Sequence, residues 1–446
     1  GIKAGDRIVE VGGESISGKD LDNYRVMKLL KGPRGTKVEL GLLRNDHPGD
    51  DLDSNFEDRL EVVIERAKIP IHSVVASFVL ENKVGYIKVI RFSATTASEF
   101  EKAMTDLELQ GATSVIVDMR GNGGGYLHAA TDMLDRFLDE GLGIVYTEGK
   151  ASPRIDYNSS YDGEYSNWPI AVLIDESSAS ASEIFAGALQ DNDRGLIVGR
   201  RSFGKGLVQE EFAVPNPISG AGALRLTVAR FYTPSGRAIQ KPYGDGVDYD
   251  QDYQERIDSG ELFLQDSIHN SDTVTFRTIL GRKVYGGGGI TPDIFIPLDS
   301  SQTNRALAEL VWTGALRDAA FTWVDFHRDG NLKENLSETS PIWIDKNIGG
   351  MAAIKNAAIR QGTVWPKKSS EEGREEIERI MIRFFAQVVR NINGENAYYK
   401  VRTAGDEFVD RALYELLKEG RFGTREGRVY LLLNDPVITD QTLNMY

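Results

Sequence analysis

Cysteine is absent from the 446 residues, which excludes disulfides and thiolate metal sites and leaves the redox compartment open. Nor does any stretch approach the roughly 20 uninterrupted apolar residues of a membrane-spanning helix. Positive charge is in short supply: 52 Lys and Arg stand against 67 Asp and Glu, a net charge of -15. That balance argues against a nucleic-acid partner, because binding phosphates requires a basic surface that displaces counterions. Histidine is scarce as well, and its settings are poor for catalysis. His47 sits in a polar loop, His72 in a linker, His128 on a helix, His269 in the run Ile-His-Asn-Ser and His327 in a C-terminal loop. No G-x-S-x-G turn accompanies any of them. No signal segment is seen, and the chain opens with Gly-Ile-Lys-Ala-Gly-Asp inside a domain, as a mature or truncated form would. What is present, at 41% hydrophobic residues, is a folded soluble protein with apolar mass for roughly two to four domains.

Three regions follow from patterning. Residues 1–68 read as strand, glycine turn, strand, a helix over 20–30, the turn Gly32-Pro-Arg-Gly35 and an alternating strand over 37–43, a small half-barrel. An acidic excursion over 45–58 reads as a hairpin loop, a strand returns over 60–65, and 66–70 is the linker. In residues 69–300, strands over 84–92, 113–119, 143–146, 170–174 and 196–198 alternate with helices over 96–110, 127–138 and 180–190. That alternation implies parallel βαβ units, whose active sites lie at the carboxyl ends of strands. Residues 301–446 turn mainly helical. Ser369-Ser-Glu-Glu372 is a capping box, Ile377, Ile380, Met381, Phe384 and Phe385 form a helical stripe, and Phe408, Val409, Ala412 and Leu413 repeat it.

Two strand ends carry unusual chemistry. Asp118-Met-Arg-Gly-Asn-Gly-Gly-Gly-Tyr126 is a glycine-rich turn able to present backbone N–H groups in a row, to a phosphate or to an oxyanion. It lacks dinucleotide spacing, and a purely structural turn is the alternative. The second is Asp175-Glu-Ser-Ser-Ala-Ser-Ala-Ser-Glu183, where serines crowd a strand-to-helix turn. Each is an N-cap by default, but a hydroxyl there also lies near unpaired N–H groups. Gly199-Arg-Arg-Ser-Phe-Gly-Lys-Gly206 nearly matches a phosphate-binding loop. Gly206 replaces the required hydroxyl, and 207–214 reads as strand where that loop needs a helix. Lys205 is left as either a solvated charge or a general base, since a desolvated lysine can deprotonate a serine.

Ser178-Ala-Ser-Ala-Ser-Glu183, Phe203-Gly-Lys-Gly206 with Gln209, Asp118-Met-Arg-Gly-Asn-Gly-Gly-Gly125 and Phe231-Tyr-Thr-Pro-Ser-Gly-Arg-Ala-Ile-Gln240, in this order, resemble the carboxyl-terminal processing, or tail-specific, serine proteases. The start of the chain resembles a bacterial PDZ domain, whose peptide groove draws partly on sequence before Gly1, so that the groove here is expected to be partial. The resemblance implies an α/β fold: a crotonase/ClpP-like core (69–300), a PDZ-like domain (1–68) and a helical C-terminal domain (301–446). It implies Ser180 as nucleophile, Lys205 as base and Gln209 holding the lysine amine, on the expectation that 205, 207 and 209 share one face of an extended strand. The N–H groups of Ala181 and Gly124 would form the oxyanion hole. Asp191 matches an acidic position of some members, or is a helix-end residue. No metal or cofactor is implied. The expected partners are unfolded or tail-exposed protein substrates, with a homo-oligomer possible and a bacterial periplasm or envelope as location. A protein that binds peptide tails without cutting them is the alternative, and an acyl-CoA enzyme of crotonase type is disfavoured by the serine-rich setting.

Overall fold

The computed structural model describes residue 2 and residues 6–16, 22–43, 59–214, 222–242, 251–268, 275–298, 305–327 and 349–433. Contacts divide the chain into two units, residues 1–71 with 301–404, and residues 72–300 with 405 onward.

In the first unit, β1 (Arg7–Val11), β2 (Glu14–Ser15), β3 (Lys37–Leu43) and β4 (Arg59–Glu65) form an antiparallel sheet in the order β2-β1-β3-β4. Alternation on β3 turns Val38, Leu40 and Leu42 to one face, where they join Val11 and Ile16 in a small core. Helix α1 (Asn23–Leu30) starts at Asp22, whose side chain accepts from the Tyr24 N–H and so satisfies a first-turn donor. The excursion over 45–58 lies outside the described residues.

The second unit is built on a six-stranded sheet. Its elements begin with β5 (Val74–Val79), β6 (Val84–Val89), α2 (Thr96–Leu109), β7 (Ser114–Asp118), α3 (Leu127–Leu134), β8 (Gly143–Glu148), β9 (Ile155–Asn158), β10 (Ile170–Ile174), α4 (Ala181–Asp191) and β11 (Leu196–Gly199). They continue with β12 (Leu207–Val214), β13 (Gly222–Tyr232), α5 (Asp252–Asp258), β14 (Thr275–Arg277), β15 (Lys283–Tyr285) and β16 (Ile294–Phe295). The order is β16-β11-β10-β7-β6-β5, parallel except for the β5–β6 pair. The expected parallel alternation holds for β6, β7, β10 and β11 but not for the strand expected over 143–146, since β8 pairs antiparallel in a separate sheet. Its physical basis is visible in β10, where all five residues are buried as in a strand covered on both faces. A second sheet, β12-β13-β8-β9, is antiparallel.

Two expected boundaries differ. The helix expected over 127–138 ends at Leu134: Phe137 and Leu138 continue as turns that bond back to the Leu134 carbonyl, yet both stay buried, which kept the apolar period running. The strand expected over 84–92 ends at Val89, and Phe92 instead makes an isolated bridge to Gly125.

Among the described residues, the remaining helices of the first unit are α6 (Arg305–Trp312), α7 (Ala315–Phe326), α8 (Gly350–Gln361), α9 (Glu371–Asn393) and α10 (Glu395–Thr403). Their core gathers Leu310, Trp323, Ile354, Ile380 and Phe384, and Ser370 caps α9 by accepting from the Gly373 N–H. Arg7 on β1 reaches the largely buried Asp325 at 2.8 Å. Helix α11 (Glu407–Leu417) and the hairpin β17 (Phe422–Arg425) with β18 (Arg428–Leu431) belong to the second unit. The sequence reading keeps 301–446 together, whereas the structure divides it after residue 404. An apolar stripe shows that a face is covered but not by what, and here α11 packs on β7, β10 and β11.

Candidate active site

Strands β7, β10 and β11 are neighbours, so their carboxyl ends bring the glycine turn, the serine turn and the lysine loop together. The serine turn is held by its own hydroxyls. Ser178 Oγ lies 2.9 Å from Met119 O and Ser182 Oγ 2.9 Å from Asn122 O, each as donor, and both residues are wholly buried. Ser177 is exposed. Ser180 differs from all three: it is the N-cap of α4, partly exposed, with φ 58° and ψ -114°. A non-glycine residue there is strained, at a cost of order 1–3 kcal/mol, and such strain persists only where the surroundings over-determine it.

The over-determining group is Glu183, which is 0% exposed. Its Oε2 accepts the Ser180 N–H at 2.8 Å and the Lys205 N–H at 2.8 Å, so the two backbone nitrogens lie within twice that distance of each other. Its Oε1 accepts the Gly204 N–H at 2.7 Å and the Ser202 hydroxyl at 2.5 Å. Burial pushes the Glu183 carboxyl above the ordinary glutamate value, while the donors from Ser202, Ser180, Lys205 and Gly204 pull it down. One carboxylate thus ties the nucleophile turn to the lysine loop. The loop is backed in turn by Gln240, whose Oε1 accepts the Gly206 N–H at 2.9 Å, and by the Lys241 N–H, which donates to Gly204 O.

The glycine turn presses on the same point. Gly124 has φ 92°, and a Cβ added there would lie 2.5 Å from Ala179 O and 2.7 Å from Ser180 Cβ. Gly124→Ala is therefore expected to push the serine turn out of place. Peptide cleavage should fall at least about a hundredfold and thermal unfolding should shift by roughly 1–3 kcal/mol. Unchanged turnover would show that this approach does not set the site. Of the two expected oxyanion donors, the Ala181 N–H makes no hydrogen bond among the described residues. The Gly124 N–H donates to Asn122 Oδ1 at 2.9 Å.

Lys205 is exposed, and among the described residues no hydrogen bond joins it to Ser180 Oγ or to Gln209. The extended-strand geometry expected for Gln209 is altered: β12 begins at Leu207, and a bulge between Val208 and Gln209 interrupts the alternation. That 207–214 is strand agrees with the rejection of a phosphate-binding loop. Asp191 is a helix-end residue: buried, it pairs with Arg237 at 2.7 Å and accepts the Ser235 N–H, pinning the Thr-Pro-Ser-Gly-Arg turn. Of the histidines, His128 stacks on Tyr126 and His327 on Trp323, whereas His47 and His269 lie outside the described residues.

Behind the glycine turn stands a charge cluster that the motif reading quoted without a role. Asp118, buried, accepts from Lys88 Nζ at 2.9 Å, Tyr86 OH at 2.8 Å and Arg120 Nη2 at 2.6 Å. Arg120 also pairs with Asp406 at 2.9 Å, the N-cap of α11, and lies 4.6 Å from the Phe408 ring centroid. Arg200 reaches the same ring at 5.1 Å.

Residues 83–253 match peptidase family S41. The S41 segment contains Asp118, Gly124, Ser180, Glu183, Lys205 and Gln209, and leaves Asp406 and Phe408 outside. The carboxy-terminal processing protease CtpB of Bacillus subtilis is 35% identical over 243 residues, 54% of this chain and 47% of that protein. The carboxy-terminal-processing protease of Bartonella bacilliformis is 37% identical over 245 residues, 54% of this chain and 52% of its own. The chain thus spans about half the length of the curated relatives it matches. Among solved structures, a photosystem II D1 C-terminal processing protease is 27% identical, with 67% of this chain and 64% of that chain covered and a TM-score of 0.36. No helix of the described residues is long and apolar enough to cross a membrane.

Proposed function

We propose that the chain is a serine endopeptidase that cleaves protein substrates near their carboxyl ends through a Ser180–Lys205 dyad. The observation that carries this reading is the shared carboxylate: Glu183 Oε2 accepts from Ser180 and Lys205 at once, which places the lysine loop beside a strained, partly exposed serine. Ser180 Oγ attacks the scissile carbonyl carbon as Lys205 takes its proton. The Ala181 N–H, unpaired among the described residues, holds the oxyanion. The Gly124 N–H joins it by exchanging its Asn122 partner. The tetrahedral adduct expels the amine, which takes the proton back from Lys205, and water then attacks the ester to restore Ser180 and release the new carboxyl end.

A lysine works as a base near neutral pH only where water is excluded. Lys205 is exposed here, so the bound substrate supplies the cover, and Gln209 then orients the amine. The reading includes a crotonase/ClpP-like core and a PDZ-like sheet, β2-β1-β3-β4 with α1, that receives a substrate tail by strand addition. It also includes unfolded or tail-exposed protein substrates, a possible homo-oligomer and a place in the bacterial periplasm or envelope; these rest on the resemblance alone.

The test is an unfolded substrate with a free carboxyl end, the same substrate amidated, and two variants. Ser180→Ala and Lys205→Ala should each lower turnover at least about ten-thousandfold while melting like the parent. Cleavage that persists in Ser180→Ala would sink the assignment. Equal cutting of free and amidated tails would remove tail recognition and leave the protease.

A further inference from the structure

Between Lys241 and Gly286 the chain makes an excursion whose two ends lie side by side. The Gly287 N–H donates to Ala238 O at 2.8 Å and the Gly289 N–H to Ile239 O at 2.9 Å. Helix α5 belongs to this excursion and is laid against the lysine loop by buried charges. Lys241 Nζ, itself 3.1 Å from Asp252 Oδ2, lies 4.1 Å from the centroid of the Phe203 ring. Arg256 pairs with Glu261 at 2.8 Å and donates to Arg201 O at 2.6 Å, and Arg201 pairs with the other oxygen of Glu261 at 2.7 Å. Buried ion pairs add little net stability, but breaking one is costly, so such a network specifies position.

Asp252, Tyr253 and Arg256 of α5 line one side of a cavity of about 600 Å³. Ala179, the residue before Ser180, also lines it, with Lys205 and Phe203. The other charges at the wall are already matched: Glu176 by Arg200 at 2.7 Å, Asp252 by Lys241 and Arg256 by Glu261. Besides Lys205, Ser177 and the Gly123 backbone, the surfaces that meet a ligand are the methyl of Ala179, the ring of Phe203 and the ring of Tyr253 from α5. A basic side chain entering this space would lose its water without gaining a free partner, and an acidic one would meet only Lys205, which the protease reading assigns to Ser180, whereas an apolar one is compatible with the walls.

We infer that this cavity receives an apolar substrate side chain next to the scissile bond, and that Tyr253 sets the size it accepts. The inference rests on the protease reading above. It makes Tyr253 a specificity-determining residue contributed by a helix that a general serine–lysine dyad does not require.

The experiment uses the whole chain and peptides that vary only at the residues flanking the cut, with Ala, Val, Leu, Phe, Asp or Lys in turn. Cleavage is followed for the parent, Tyr253→Ala and Tyr253→Phe. Tyr253 is 47% exposed, so its truncation leaves the fold intact. The parent should prefer apolar residues to Asp and Lys at one flanking position by at least about tenfold, the scale of a single contact in an apolar pocket. Tyr253→Ala should shift that preference toward Leu and Phe by a similar factor, with Tyr253→Phe close to the parent. Binding of the same peptides to the Ser180→Ala protein separates the two ideas. Ser180-dependent cleavage with an unchanged ranking in Tyr253→Ala overturns the pocket and spares the protease. Binding whose ranking Tyr253→Ala reorders, without any Ser180-dependent cleavage, upholds the pocket and overturns the protease.

Discussion

Replacing Glu183 by Ala should abolish peptide cleavage and lower stability by roughly 3–5 kcal/mol, the net cost of leaving its neutral hydrogen-bond donors without an acceptor. Four buried or partly buried donors lose their acceptor together: the N–H groups of Ser180, Gly204 and Lys205 and the hydroxyl of Ser202. Each donor stranded without a partner costs about 1–3 kcal/mol, partly offset because the charge no longer has to be buried. Glu183→Gln separates position from stability. It keeps the shape but turns an amide NH₂ toward a pair of donors, so cleavage should fall at least about a hundredfold while melting changes little. Burial raises the Glu183 carboxyl above its ordinary value of about 4.3. A raised acid favours folding most below its unfolded value and loses that contribution as pH rises through the folded one. Ionised Glu183 is therefore a cost to stability at neutral pH, retained because only the carboxylate accepts from all four donors. Activity should accordingly begin to fall on acidification at a higher pH than an ordinary glutamate would give. A Glu183→Gln protein that cuts like the parent would show that the shared carboxylate is not what sets the site.

The four central strands β6, β7, β10 and β11 were legible because they are buried throughout and alternate with helices whose apolar period is long enough to count, whereas the partly buried edge strands β5 and β16 were not read. The serine, lysine and glycine turns were legible because each follows one of those strands, and the strand order then brings them together. Glu183 was quoted only as the last residue of the serine run. The signal for its role was present, since Ser180-x-x-Glu183 has capping-box spacing, but spacing alone does not show that the same carboxylate also reaches Gly204 and Lys205. The link from Arg120 to Asp406 spans 286 residues, and no local period can announce it. Helix α5 has seven residues, four of them charged, too short and too polar to register as an amphipathic element, although it walls the candidate pocket.

Asp118→Asn should destabilise the second unit by roughly 3–5 kcal/mol and lower its melting temperature by about ten degrees. Asp118 is the common acceptor for Lys88, Tyr86 and Arg120, and the amide leaves two largely buried cations, of which Arg120 keeps Asp406 as a partner. Burial alone would raise the Asp118 carboxyl, but Arg120 and Lys88 more than offset it and hold it well below the ordinary aspartate range. A depressed carboxyl contributes stability that is fully present above its unfolded value of about 3.9 and is lost as pH falls through the folded one. The gap in denaturant midpoint between parent and Asp118→Asn should therefore be constant above about pH 5 and narrow below about pH 4. Cleavage should fall further than stability explains. The Arg120 N–H also donates to Asp118, and the next residue, Gly121, opens the turn that carries Gly124 to Ser180. If the gap stays constant into acid, the charge of Asp118 is not what holds this cluster. If cleavage survives while the gap behaves as expected, the cluster supports the sheet alone, and the glycine turn is placed by Asn122 and by Asp175, whose carboxylate accepts the Gly121 N–H at 2.9 Å.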